Sequence, residues 1–227
     1  MKISSLQIAG IIDHTLLKPD AVSEEVRHLC EEALEFGFAT VCINPVHVRQ
    51  CADQLVGSEI GVCTVVGFPL GVSSTTEKVA AVSQGLEDGA VEFDMVMNIG
   101  AFKDGNFATV GNDIKAVVGA AESNTVKVII ETCLLKDDEK KDAAMIVRDA
   151  GAHFVKTSTG FSSGGATLLD VTLLRETVGD KMGVKASGGI KSFRHALSLV
   201  EAGASRLGAS AGVSIVTEAQ LSGNSDD

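Results

Sequence analysis

One pattern repeats eight times along the chain: a short run of apolar and β-branched residues, a polar turn, a helical segment and then a glycine. Successive apolar runs lie about 20 to 40 residues apart, which leaves room for one helix between parallel neighbouring strands. Strands and helices that alternate without a break in composition favour a sheet closed on itself. We therefore predict an α/β fold, a single (β/α)8 TIM barrel, although the pattern alone also allows six or seven strands. The candidate strands cover residues 11–14, 40–43, 61–66, 92–97, 126–131, 154–157, 183–186 and 206–209.

Residues typical of helix ends lie between the candidate strands. Thr75 stands two residues before an acidic residue, Glu77, where a helical pattern begins, and Gly37 and Gly89 follow the last turns of two others. No linker or low-complexity segment interrupts the 227 residues. Residues 1–221 are therefore predicted to form one barrel domain, and the polar residues 222–227 are predicted to form a frayed tail.

The acidic composition limits the partners of this protein. A total of 30 Asp and Glu residues against 19 Lys and Arg residues gives a formal net charge of −11 at pH 7, which disfavours binding to nucleic acid or to anionic lipid. No apolar stretch approaches the length of a membrane span. The five cysteines are scattered and lack metal-ligand spacing. We expect a cytoplasmic protein with reduced thiols, no metal site, and no nucleic-acid or membrane partner.

Charged residues interrupt or end five of the apolar runs, at Asp13, Asp94, Glu131, Lys156 and Lys185. An ionised side chain inside a parallel barrel is costly unless it is paired. The carboxyl ends of barrel strands meet at one rim, where barrel enzymes build their active sites. A structural network of ion pairs at this rim is the alternative explanation. Buried ion pairs stabilise proteins poorly, however, so several of them together favour a functional site.

The two lysines indicate nucleophilic chemistry. Lys156 and Lys185 are one βα unit apart, which places them on neighbouring strands roughly 5 Å apart if the register matches. An ordinary lysine, with a pKa of ~10.4, is almost wholly protonated at neutral pH. A second cation and partial burial both favour the neutral amine, which attacks carbonyl carbons to form a Schiff base. Asp94, about two strands away, could transfer protons or position a water molecule.

Glycine and hydroxyl residues follow the last three candidate strands, in segments 156–160, 185–189 and 206–212. Glycine lets backbone N–H groups approach an anion closely, and the start of a helix adds attraction. Loops after the seventh and eighth strands are a recurrent phosphate site in barrels. We therefore predict that a phosphorylated substrate binds at this side of the rim.

The same segments resemble the deoxyribose-phosphate aldolase family. Residues 154–160 look like the Schiff-base lysine motif of that family, residues 92–96 are similar to its catalytic aspartate strand, and residues 184–189 resemble its second-lysine strand. The motifs occur in order and at compatible spacing from about residue 12 to residue 213, which is nearly the whole chain.

The resemblance implies a class I aldolase that reversibly cleaves 2-deoxy-D-ribose 5-phosphate to acetaldehyde and D-glyceraldehyde 3-phosphate. Lys156 would form the imine, Lys185 would keep Lys156 reactive, and Asp94 would transfer protons. The resemblance also implies a homodimer that needs no cofactor or metal. The implied substrate-binding residues are Thr159, Gly160, Gly188, Gly189, Gly208 and Ser210.

Two other functions are open at this point. A phosphosugar isomerase or epimerase barrel would also have glycine loops, but it has no need for two adjacent lysines at strand ends. A non-catalytic phosphosugar-binding protein would bind the ligand without forming an imine. The chain departs from some members of the family at Phe161, where they have a lysine, and at Ala211, where they have a serine.

Overall fold

The structure, a computed structural model, describes residues 4–223. Its strands are β1 (Ile12–Leu16), β2 (Thr40–Ile43), β3 (Gly61–Val66), β4 (Glu92–Val96), β5 (Thr125–Ile129), β6 (Phe154–Lys156), β7 (Gly183–Ser187) and β8 (Arg206–Ala209). Its α-helices are α1 (Ser5–Ala9), α2 (Ser23–Phe36), α3 (Val48–Gln54), α4 (Thr75–Asp88), α5 (Ile99–Lys103), α6 (Phe107–Ala120), α7 (Asp137–Asp149), α8 (Leu168–Val178), α9 (Phe193–Glu201) and α10 (Gly212–Gly223). Short 3-10 turns cover Pro45–His47 and Thr132–Leu134.

The eight strands form one closed parallel barrel. Each strand pairs with the next along the chain, and β8 pairs with β1 to close the sheet. This architecture confirms the predicted (β/α)8 fold and excludes the six- and seven-stranded alternatives. All eight predicted strands are present, with ends that differ by at most two residues.

Two of the boundary differences concern the carboxyl end of β5 and the predicted tail. Strand β5 ends at Ile129 instead of residue 131, because Glu131 has a backbone φ of 53° that departs from the extended conformation. Helix α10 continues to Gly223, so the first two residues of the predicted tail are helical. Residues 224–227 of that tail lie outside the described part of the chain. The assignment of residues 1–221 to one domain stays a prediction.

Local hydrogen bonds explain where helix α4 begins and ends. The Ser74 hydroxyl accepts from the Glu77 N–H at 3.3 Å, and the Glu77 carboxylate accepts from the Ser74 N–H at 2.7 Å. This reciprocal pair satisfies backbone groups that the first helical turn leaves unbonded. At the other end Gly89 has a φ of 102°, the left-handed conformation that terminates many helices. The predicted start near Thr75 and end near Gly89 are thus confirmed.

Successive side chains of each strand point alternately toward the helices and into the barrel. The side that faces the helices is apolar, whereas the barrel interior contains charged groups. The buried ring of Phe93 faces helix α4, where a Cβ added at Gly85 would lie 2.8 Å from it. The following residue, Asp94, therefore points into the barrel. The main apolar core fills the space between strands and helices, whereas a small second cluster is formed by Leu17, Cys42, Cys63 and Val65.

Candidate active site

A cavity of about 230 Å3 opens at the carboxyl ends of the strands. Its wall is built by the loops that follow β1, β6, β7 and β8. Asp94 and Lys185 do not line the cavity but lie fully buried in the barrel. The lining does include Lys156 and the six residues implied to bind substrate: Thr159, Gly160, Gly188, Gly189, Gly208 and Ser210.

Lys156 reaches this cavity from the end of β6. Its side chain is only 4% exposed. Backbone pairing sets it directly opposite Lys185 of β7, as the spacing of one βα unit predicted. The Lys156 ammonium donates to Asp94 Oδ2 at 2.6 Å. The aspartate predicted to lie about two strands away is therefore in direct contact with the predicted nucleophile.

Asp94 of β4 bridges the two lysines. Its Oδ2 also accepts from the Lys185 ammonium at 2.5 Å, and Lys185 makes a second contact with Asp13 of β1. Burial alone would lower the pKa of Lys185, but the carboxylates of Asp13 and Asp94 outweigh burial and raise that pKa above its usual value. Lys185 is therefore a stable cation next to Lys156 at neutral pH.

Lys127 of β5 is a third buried lysine, and it was not among the predicted site residues. Its ammonium lies 2.9 Å from Asp94 Oδ1 and 2.5 Å from Glu92 Oε2. Burial would raise the pKa of Asp94, but Lys127, together with Lys156 and Lys185, holds it well below its usual range. Lys127 stands between two valines in the strand, and this alternation was the available sequence signal for an inward-facing charge.

The charged network continues to the amino-terminal side of the barrel. There Arg206 donates to Asp13 at 2.7 Å and to Glu92 at 3.1 Å. The whole network has three carboxylates and four basic groups, so it carries a net charge of +1 when every group is ionised. Its members are Asp13, Glu92, Asp94, Lys127, Lys156, Lys185 and Arg206.

Glycines shape the rim of the cavity in two different ways. Gly160, Gly188 and Gly189 have φ values of 83°, 90° and 77°, a conformation that residues with side chains rarely adopt. Gly208 has an ordinary backbone but leaves room for a neighbour, since a Cβ there would lie 3.1 Å from Lys185 Cε. Gly208 therefore contributes to the placement of the buried lysine as well as to the cavity wall.

The two hydroxyl residues predicted to bind substrate differ in their hydrogen bonds. Ser210 is exposed at the rim, just before helix α10. The Thr159 hydroxyl, in contrast, donates to Glu131 Oε2 at 2.5 Å and accepts from the Phe161 N–H at 3.0 Å. The Thr159 N–H also donates to Glu131, at 3.2 Å. The N–H and the hydroxyl of Thr159 therefore both already donate hydrogen bonds to Glu131.

Two lysines that were not predicted add positive charge to the cavity lining. Lys18 follows β1 and Lys191 follows the Gly188–Gly189 turn, and both side chains are exposed. In a chain with a net charge of −11, two cations beside one cavity create a local field that favours an anionic ligand. A lysine two positions after a Gly-Gly turn was the sequence signal for Lys191.

Among residues 4–223, two groups of buried side chains have the spacing of metal ligands. Donor atoms of Cys42, Cys63 and Asp94 lie within 4.8 Å of one another, and so do those of Asp13, Cys63 and Glu92. The Lys127 ammonium contacts members of both groups, including Cys63 Sγ at 3.4 Å. A positive charge is therefore already present where these ligands would hold a metal cation.

A parallel barrel with a buried lysine at a rim cavity, bonded to a carboxylate and next to a second lysine, has the architecture of a Schiff-base aldolase. The family model for DeoC/LacD family aldolases matches residues 8–218, and the chain belongs to this family. This finding confirms the resemblance that the motifs indicated.

Similar proteins are deoxyribose-phosphate aldolases. Deoxyribose-phosphate aldolase 1 of Bacillus licheniformis is 57% identical over 211 residues, which cover 92% of this chain and 95% of that protein. The Streptococcus suis deoxyribose-phosphate aldolase is 53% identical over 219 residues, covering 96% of this chain and 100% of the relative. The tetrameric structure of deoxyribose phosphate aldolase from Aeropyrum pernix matches with a TM-score of 0.90 at 34% identity, covering 96% and 92% of the two chains.

Proposed function

We propose that this chain is a class I aldolase that reversibly cleaves 2-deoxy-D-ribose 5-phosphate to acetaldehyde and D-glyceraldehyde 3-phosphate. The observation that carries the proposal is the Lys156 amine, which lines the rim cavity and contacts Asp94 at 2.6 Å. Membership of the DeoC/LacD family and close similarity to deoxyribose-phosphate aldolases support the same reaction.

Lys156 is the proposed nucleophile. In the direction of synthesis its neutral amine adds to the aldehyde carbon of acetaldehyde, and loss of water gives an imine. Loss of a proton from the donor methyl group gives an enamine, whose carbon attacks the aldehyde carbon of glyceraldehyde 3-phosphate. Water then hydrolyses the new imine, which releases the product and restores the amine. The protonated imine is the electron sink, so no metal or cofactor takes part in these steps.

The position of Lys185 supports a role for this second lysine in the reactivity of Lys156. The two residues are paired directly opposite each other on β6 and β7, and both donate to Asp94 Oδ2. Lys185 remains charged because its two carboxylate partners outweigh burial and raise its pKa. We assign Lys185 the role of keeping Lys156 reactive.

Asp94 is the proposed acid and base. Its contact with Lys156 places it beside the atoms that gain and lose protons. Lys156 is one of three cations that hold the pKa of Asp94 low against the effect of burial. When Lys156 becomes a neutral enamine, one of these cations is lost and the carboxylate becomes a better proton acceptor.

We propose that the substrate phosphate binds at Gly160, Gly188, Gly189, Gly208 and Ser210. Their shared position on the cavity wall supports this assignment, as do the nearby cations Lys18 and Lys191. Thr159, also predicted as a substrate contact, has its donors bonded to Glu131. We assign Thr159 to holding the loop instead of binding the phosphate.

The assembly and location of the protein stay predictions. We propose a homodimer, whereas the Aeropyrum pernix relative is described as tetrameric, so light scattering on this chain would decide between the two states. We also propose a cytoplasmic location. Among residues 4–223, no helix is both long enough and apolar enough to cross a bilayer.

The direct test is cleavage of 2-deoxyribose 5-phosphate, with the released acetaldehyde measured by coupled reduction with NADH and alcohol dehydrogenase. We expect release of acetaldehyde by the wild-type chain and none by the Lys156→Met variant. An isomerase or epimerase would change the substrate without releasing a two-carbon aldehyde, and a binding protein would leave the substrate unchanged. Either of these results with folded wild-type protein would overturn the proposed function.

A further inference from the structure

Glu131 has three features that the proposed chemistry does not use. Its side chain is buried, and its backbone φ of 53° is rare for a residue with a Cβ. Within residues 4–223, its carboxylate contacts hydrogen-bond donors but forms no ion pair with a lysine, arginine or histidine. A buried carboxylate and a left-handed backbone both cost free energy, so the contacts of this residue must compensate.

These contacts lead directly to the cavity wall. The Glu131 carboxylate accepts from both the N–H and the hydroxyl of Thr159. The same hydroxyl accepts from the N–H of Phe161 at 3.0 Å. The Phe161 ring lines the cavity and packs edge-to-face on Phe68, with 5.3 Å between ring centroids. A chain of bonds therefore connects Glu131 to an aromatic wall of the cavity.

The segment that follows Lys156 is held differently on its two sides. On the side of β7, Thr157 donates from its N–H to the Lys185 carbonyl at 3.0 Å, and its hydroxyl accepts from the Ser187 N–H at 3.1 Å. On the side of β5, backbone contacts end with the bond from the Thr132 N–H to the Thr157 carbonyl at 2.9 Å. Beyond this point side chains make the connection: the Glu131 carboxylate accepts from Thr159, and the Cys133 thiol contacts the Ser162 hydroxyl further along the loop at 3.4 Å.

We propose that Glu131 is a positioning residue for the acceptor side of the active site. Through Thr159 it fixes Gly160 and Phe161, which form the wall beside the acceptor aldehyde. Lys156 does not depend on Glu131, because β6 pairing and Asp94 hold it separately. This inference rests on the proposed aldolase reaction, in which the donor binds to Lys156 and the phosphorylated acceptor binds at the rim.

The test separates acceptor binding from imine formation. In Glu131→Ala we expect the KM for glyceraldehyde 3-phosphate to rise by about 10- to 100-fold, the effect of losing hydrogen bonds to a charged group. Trapping of the acetaldehyde imine at Lys156 should remain as in the wild type. Thr159→Val should raise the same KM, and Thr159→Ser should keep the wild-type value, because its hydroxyl can make the same two bonds.

Two controls separate the carboxylate from the unusual backbone. Glu131→Gly removes both the carboxylate and the conformational strain, and we expect the same rise in KM. Glu122 also has a positive φ, of 55°, but it is exposed and precedes β5 at the opposite end of the barrel. Glu122→Ala should therefore leave the KM for the acceptor unchanged.

The outcomes that overturn this proposal are specific. An unchanged acceptor KM in Glu131→Ala or in Thr159→Val would remove the positioning role. Loss of imine trapping in proportion to the loss of acceptor binding would show a general structural role instead. If the Glu131 variants do not fold, the KM values of the two Thr159 variants provide the test. Absence of cleavage by the wild-type chain would overturn the proposed function, whereas normal wild-type cleavage with unaltered variants would overturn the positioning role alone.

Discussion

Removing the charge of Lys127 tests whether the buried network contributes to catalysis as well as to stability. Lys127→Met keeps a long unbranched side chain but takes away one cation from Asp94 and Glu92. Breaking a buried ion pair by removing one partner costs about 3–5 kcal/mol. Each carboxylate here keeps another basic partner, so we expect a loss of about 3 kcal/mol. In a domain of this size that loss lowers the Tm by roughly 6–12 °C.

Lys78 provides a matched control, because it is equally buried but lies outside the barrel interior. Its ammonium is 2.5 Å from Asp113 and donates to the Val96 carbonyl at 3.0 Å. Lys78→Met would remove the ammonium partner of Asp113. The Thr75 hydroxyl, which donates to Asp113 at 2.8 Å, would remain. We therefore expect Lys78→Met to destabilise the fold at least as much as Lys127→Met does.

The two variants should differ in turnover. In Lys127→Met, Asp94 Oδ1 loses its ammonium donor and keeps the weaker donor, the Cys63 thiol at 3.3 Å, so we expect kcat to fall by about 10- to 100-fold, the equivalent of one charged hydrogen bond. Lys78→Met should keep the wild-type kcat at temperatures well below its Tm. Thermal unfolding and cleavage of 2-deoxyribose 5-phosphate measure both quantities. A wild-type kcat in Lys127→Met, or an equal loss in Lys78→Met, would refute a catalytic contribution of the network.

Three further predictions concern the same groups. Asp94→Asn should still allow the Lys156 imine to be trapped but should lower kcat by about 100-fold or more, because an amide cannot transfer the proton; wild-type deuterium exchange at the acetaldehyde methyl group would exclude this role. Lys185→Met should lower kcat by about 10- to 100-fold, the equivalent of one charged hydrogen bond, since the ammonium group that donates to Asp94 beside Lys156 is gone, and a wild-type kcat would contradict the assignment. Burial opposes the low pKa of Asp94, but the three ammonium groups outweigh it. The resulting stability is therefore present above the unfolded pKa of ~3.9 and is lost as pH falls through the lower folded pKa. Urea midpoints that stay constant from about pH 7 to about pH 2 would refute this linkage.

The fold could be predicted because its periodicity is local. Each strand is a short apolar run, and each connection is long enough for one helix, so the repeats favour a parallel barrel, and the structure has the eight strands that they predicted. The position of Lys156 opposite Lys185 followed from the same spacing, since equivalent residues of successive units meet at one rim. These inferences needed only the order of the residues and the usual geometry of a βα unit.

The contacts across the barrel could not be predicted in the same way. Lys127 of β5 lies 3.5 Å from Asp13 of β1, and these strands are on opposite sides of the closed sheet. Such a contact depends on the register and diameter of the barrel, which no local pattern specifies. Glu131 was recognised as a charge at a strand end, but its positive φ and its bonds to Thr159 depend on the neighbouring loop.

The most direct test of the proposed mechanism is reductive trapping of the Schiff base. Folded protein is incubated with acetaldehyde and reduced with borohydride, and the modified peptide is located by mass spectrometry. We predict one ethyl group on Lys156, absent without the reductant and absent from Lys156→Met. An adduct on Lys185 in place of Lys156 would reverse the assigned roles of the two lysines, and a folded protein without any adduct would contradict the Schiff-base mechanism itself.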